Sequence, residues 1–75
     1  MDTARVGCVN VNSLMNKLPY IQNLVYSEEL VMLAVCETWL VENIQSSYVN
    51  IDRFKFYRKD VEGTIRKHGV GLYTD

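Results

Sequence analysis

Long apolar runs are missing from this sequence. None approaches the ~20 residues that cross a bilayer as a helix, so no membrane span is expected. An excess of basic charge is missing too. Eight Lys and Arg stand against nine Asp and Glu, a net charge of −1, so no whole-chain field gathers nucleic acid. The opening "MDTARVG" has no signal-peptide pattern. Cysteine is scarce: Cys8 and Cys36 are too few for a disulfide framework. Two reduced core thiols are expected instead, which suits an intracellular setting, the nucleus included. The one histidine, His68, lies between Lys67 and Gly69 and reads as an exposed loop residue rather than a general base. No repeat, low-complexity tract or linker interrupts the 75 residues. They make at most one domain, and a domain of this size buries only about 60% of its unfolded surface.

What the chain does have is alternating order. "RVGCVNV" (5–11) predicts a first strand, short and β-branched. Asn16 predicts a helix N-cap, with Pro19 in the first turn, where its missing N–H is harmless. Leu18, Ile21, Leu24 and Val25 recur at helical spacing, so a helix is expected over about 17–26. "SEE" closes it. "LVMLAVC" (30–36) is apolar on both faces, as in a strand covered on both sides and paired in parallel. Strand, helix and strand make a βαβ unit. Residues 41–52 predict a loop with one helical turn. "RFKFYRK" (53–59) predicts a strand with one solvated face, "DVEGTIRKHG" (60–69) a hairpin loop, and "VGLYT" (70–74) the last strand. Two parallel strands and a hairpin form a sheet with bare edges and an uncovered face. That predicts a larger fold, or self-association through the incomplete sheet.

Polar residues end the first two strands. Asn10 and Asn12 close one, and Glu37 closes the other. Ligands of open α/β sheets gather beyond the carboxyl ends of the strands. A carboxylate with one or two amides suits Mg²⁺, which keeps several waters and takes one or two carboxylates plus phosphate oxygens. The residues alone leave a plainer reading open: Asn10 and Asn12 as turn residues, Glu37 as a capping or surface acid. If Asn10 and Glu37 share a site, strand alternation predicts Cys8 and Cys36 on different faces. Thr38 reads as a partner near Glu37 or a cap for the next turn. Trp39 reads as a packing residue or a DNA contact.

"VNVNSLMNKL", then "VCETWL", then "FYRKD" and "GVGLYT" resemble the start of an endonuclease/exonuclease/phosphatase domain. The similarity is to the branch found in non-LTR (LINE-type) retrotransposons, related to exonuclease III and the abasic-site endonucleases. It runs from about Arg5 to Tyr73. The resemblance implies a four-layered α/β sandwich, here truncated to a βαβ unit plus a β-hairpin. It also implies a Mg²⁺-dependent phosphodiesterase (a hydrolase) that nicks DNA. Carried over by position, Glu37 is the metal-binding glutamate and Asn10 the active-site asparagine. Asn12 stands where the abasic-site branch has an aspartate, and His68 stands in a glycine of the hairpin. The family's catalytic histidine, Asp-x-Asn pair and further acids lie beyond these residues.

Residues 1–75 are therefore expected to be the N-terminal fragment of one such domain. DNA is the partner expected of the intact domain. The fragment alone is expected to be inactive, with Mg²⁺ binding weak or absent. The other readings are a non-catalytic interaction module or a remnant without a role, and, last, a thiol redox protein. Arg53, Lys55, Arg58 and Lys59 interleave with Phe54, Phe56 and Tyr57. They read either as a nucleic-acid stripe or as the solvated face of a strand.

Overall fold

The computed structural model describes residues 4–60 and 68–75. In chain order the elements are β1 (Val6–Asn10), α1 (Leu14–Ser27), β2 (Met32–Cys36), a 3-10 turn at Ser46–Val49, β3 (Lys55–Lys59) and β4 (Val70–Thr74). The chain is α/β, a βαβ unit followed by a β-hairpin, as expected. All four strands share one mixed sheet in the order β1-β2-β4-β3. β1 and β2 are parallel, with Val6 opposite Met32 and Asn10 opposite Cys36. β4 runs antiparallel to both β2 and β3. Most of the expected hairpin loop, with Gly63, Arg66 and Lys67, lies outside the described residues. No helix among the described residues is long and apolar enough to cross a membrane.

Alternation sorts the sheet into two faces. Leu33, Val35 and Tyr73 are buried in one core with Leu14, Ile21 and Val25 of α1, joined by Val49 and Ile51. Phe56 stacks on Tyr73 at 4.4 Å between ring centres. Gly71 lies under that pair: a Cβ there would come 2.4 Å from Phe56, so only glycine lets the rings sit so low. The second face carries the other side chains, and Val6, Met32, Tyr57 and Val70 on it are all exposed. β2 is therefore covered on one side only, against the expectation from its apolar run. Periodicity cannot tell a strand with two covered faces from an apolar strand that lacks its second layer.

α1 begins three residues earlier than expected. Its N-cap is Ser13, not Asn16, and Pro19 lies inside the helix. Tertiary bonds explain the shift. The amides of Ser13 and Leu14 donate to the carbonyls of Glu37 and Thr38, both at 3.0 Å, and Leu14 is fully buried. Two amides that a helix start leaves without partners are thus satisfied by the loop after β2. Pro19 removes the bond to the carbonyl of Met15, and both residues are exposed. β3 is shorter than expected because Arg53 takes φ 74 and Phe54 N–H turns back to Ile51 O.

α1 ends in a Schellman-type cap. Leu30 N–H reaches Val25 O at 2.9 Å, and Glu29 N–H reaches Tyr26 O at 3.3 Å. Glu29 holds the left-handed position with φ 53, where glycine is unstrained. Glu29→Gly is expected to stabilise the chain by about 0.5–1 kcal/mol. Urea unfolding at neutral pH checks this, and a loss of stability would contradict the cap.

Candidate functional site

β1 and β2 are parallel neighbours in register, so their carboxyl ends release the chain at one corner of the sheet. Asn10 ends β1, and Cys36 ends β2 directly opposite. Glu37 then takes φ 55. That left-handed step interrupts the alternation that would have turned Glu37 to the core side. The Asn10 amide donates from Nδ2 to Glu37 Oε2. The predicted acid and amide are in contact. The expectation built on them for the thiols fails for the same reason. Asn10 and Cys36 are register partners, so Cys8, Asn10 and Cys36 share the uncovered face. Nor are the thiols core residues: Cys8 is exposed and Cys36 half-buried. They sit diagonally on neighbouring strands, about 8 Å apart by sheet spacing, beyond the ~7 Å limit for an unstrained disulfide.

Asn10 is also a turn residue. Its Oδ1 accepts the Asn12 amide at 3.3 Å, an Asx turn. Asn12 (φ 44), Ser13 (φ 87), Glu37 (φ 55) and Trp39 (φ 58) all occupy left-handed backbone at this corner. Such conformations cost roughly 1–2 kcal/mol each, and they gather where a site is held in a fixed shape. Here the backbone holds it. The 37–39 segment is bonded to the start of α1 on one side. On the other, Thr38 N–H donates to Gly69 O at 3.2 Å and Trp39 N–H to His68 O at 2.9 Å. Gly69 has φ 105, and a Cβ there would meet Thr38 Oγ1 at 2.6 Å. His68 is exposed, as expected, and lends its backbone carbonyl. Thr38 is buried, and its Oγ1 accepts the Leu40 amide at 3.4 Å, which makes it the cap of the next turn. Trp39 is half-buried.

Lys17 was not legible as a neighbour of this corner. Its Nζ donates to the carbonyls of Val11 and Asn12, each at 3.4 Å. The available signal was Leu14, Leu18, Ile21 and Val25, an apolar stripe that starts the helix after Ser13 and puts Lys17 in its first turn. That turn contains no acidic residue. The Lys17 ammonium therefore lies against the backbone of the turn that follows Asn10.

The basic residues of 53–59 do not form one stripe. Arg58 is turned to the covered side, bonded to Asp60 and to the carbonyls of Val41 and Ile44. Arg53 pairs with Asp75 at 3.3 Å. Lys55 and Lys59 lie on the uncovered face, both exposed.

Glu37 uses Oε2 on Asn10, and its Oε1 takes no hydrogen bond among the described residues. One carboxylate oxygen fits a hydrated Mg²⁺ as a single protein ligand. It does not make a cage, since no group of three or more His, Cys, Asp or Glu gathers among the described residues. No protein-family model matches this chain, and no curated protein matches it.

Proposed function

We propose that this chain supplies the first half of a Mg²⁺-dependent phosphodiesterase site of the endonuclease/exonuclease/phosphatase type, with DNA as the substrate of the complete domain. One observation carries the reading. The amide of Asn10 and the carboxylate of Glu37 meet at the carboxyl ends of two adjacent parallel strands, where ligands of open sheets bind. Glu37 would hold the cation through its carboxylate. Asn10 fixes the rotamer of Glu37 through Nδ2. The Lys17 ammonium beside the turn after β1 favours a phosphate close by. A cation held there would supply polarisation of a phosphodiester and stabilisation of the leaving oxygen. Asn12 brings no carboxylate, so of Asn10, Asn12 and Glu37 only Glu37 is an acid.

A single carboxylate holds Mg²⁺ only weakly, because the ion keeps most of its water. The chain alone is therefore expected to leave supercoiled plasmid uncut in Mg²⁺. Nicking that disappears in Glu37→Gln would overturn the half-site reading in favour of a whole enzyme. The metal role is tested separately with Mn²⁺ as a paramagnetic probe. Broadening of the amide signals at residues 10 and 37, lost in Glu37→Gln, is the expected result. Broadening elsewhere, or none, removes Glu37 as a ligand.

A further inference from the structure

We propose that the uncovered sheet face is self-complementary and pairs with a second copy of this chain about a twofold axis parallel to the strands. This does not depend on the phosphodiesterase reading. The face is apolar at its centre. The middle row is Cys8, Ala34, Leu72 and Tyr57, one from each strand in register. Val70 and Tyr57 are half or more exposed, and contiguous apolar surface on this scale marks an interaction site. Four strands at ~4.8 Å and five residues at ~3.3 Å make a face of roughly 19 by 17 Å. Two such faces cover roughly 650 Å² in projection, and side-chain relief adds to that, which suits a weak, reversible dimer.

Two twofold axes lie in the plane between stacked sheets, and the side chains choose between them. An axis across the strands sets β3 on its own copy with the rows reversed. Lys59 would then meet Lys55, and Tyr57 would meet Tyr57. An axis along the strands sets β1 of one copy over β3 of the other, with the rows kept. Tyr57 then covers Cys8, Leu72 covers Ala34 and Val70 covers Cys36, so large residues meet small ones and the layers interlock. Lys59 comes over Asn10, beside the Glu37 carboxylate that Asn10 holds. Opposite charges meet at both ends of the interface, where the other axis brings like charges together. The contact is isologous and closed, so it stops at two copies. It also places a lysine against the carboxylate at the strand ends, so dimer and bound cation compete for Glu37.

Sedimentation velocity over rising concentration, with thiol reactivity toward a disulfide reagent measured in parallel, tests this. The expected result is a monomer–dimer equilibrium with a dissociation constant on the order of 10–100 μM. Both thiols should react more slowly as dimer forms, without cross-linking. Tyr57→Lys and Val70→Lys, both at exposed positions, should each raise that constant at least about tenfold while circular dichroism stays unchanged. Lys59→Glu should weaken the dimer, and Glu37→Lys added to it should restore association. A monomer at every concentration overturns the proposal, whether its thiols are fast or are slowed by another part of the same chain. A dimer indifferent to Tyr57→Lys and Val70→Lys overturns the surface. Oxidative cross-linking through Cys8, or failure of the charge swap in folded protein, overturns the axis.

Discussion

Arg58→Ala is expected to remove about 3–5 kcal/mol of stability, a large share of what a chain of this size has. Arg58 is the only basic residue of β3 turned away from the uncovered face. Its side chain is 16% exposed and that of its partner, Asp60, 18%. Nη1 donates to Ile44 O at 2.6 Å, and Nη2 to Val41 O at 2.8 Å. Nε and Nη2 grip the Asp60 carboxylate, at 3.1 and 2.5 Å. The guanidinium therefore fastens the 41–46 segment, which has no ladder of its own, to β3. Removal leaves two carbonyls and a largely buried carboxylate without their donor, and such orphans cost more than the pair contributed. A 75-residue domain has roughly 4–11 kcal/mol in all. Arg58→Lys should recover less than half of the loss, because an ammonium cannot span the fork. Arg5→Ala is the control. Its ion pair with Glu28 is exposed on both sides, and its loss should stay within about 1 kcal/mol. Urea unfolding of the three variants reads all of this. Arg58→Ala as mild as Arg5→Ala would mean that water, not protein, screens the guanidinium.

The elements were legible where one local signal decided them. β-branched residues marked β1, and "VGLYT" matched β4 to the residue. The meeting of Asn10 and Glu37 was legible because parallel strands with polar ends leave few other arrangements. The failures share a cause. The start of α1, the placing of the thiols and the one-sided cover of β2 each depend on a partner distant in sequence. Ser13 and Leu14 become helix-start residues because Glu37 and Thr38 accept their amides. Cys36 joins the face of Cys8 while Glu37 still reaches Asn10, because Glu37 steps into left-handed backbone. That step could not be read from a glutamate, which lacks the left-handed preference that a glycine or asparagine would have shown. Arg58 shows the limit of period-two reading. Alternation separates Phe56 and Arg58 from Lys55, Tyr57 and Lys59, but which set faces inward is settled by β4.

Raising the pH above about 10 is expected to destabilise the chain through one side chain, Tyr73. It is fully buried, its hydroxyl donates to Val49 O at 2.6 Å, and Phe56 stacks on it. Burial disfavours the phenolate and pushes the Tyr73 phenol well above its usual range. The folded chain therefore holds a proton that the unfolded chain releases near pH 10. Native protein binds more protons than unfolded in this window, so stability falls as pH rises. The contribution is fully present below the unfolded pKa. Above it the loss runs at up to about 1.4 kcal/mol per pH unit, or roughly 2–3 kcal/mol by pH 12. Tyr20, Tyr26, Tyr48 and Tyr57 are exposed. Tyr73→Phe separates the effect from general alkaline repulsion. At neutral pH it should cost about 1–2 kcal/mol, because Val49 O loses its donor inside the core. Above pH 10 its stability should fall less steeply than that of the parent, and the two unfolding curves should converge or cross. Parallel curves across that range would mean that Tyr73 ionises without leaving the fold, and that the contact joining β4 to the 3-10 turn opens more readily than its burial implies.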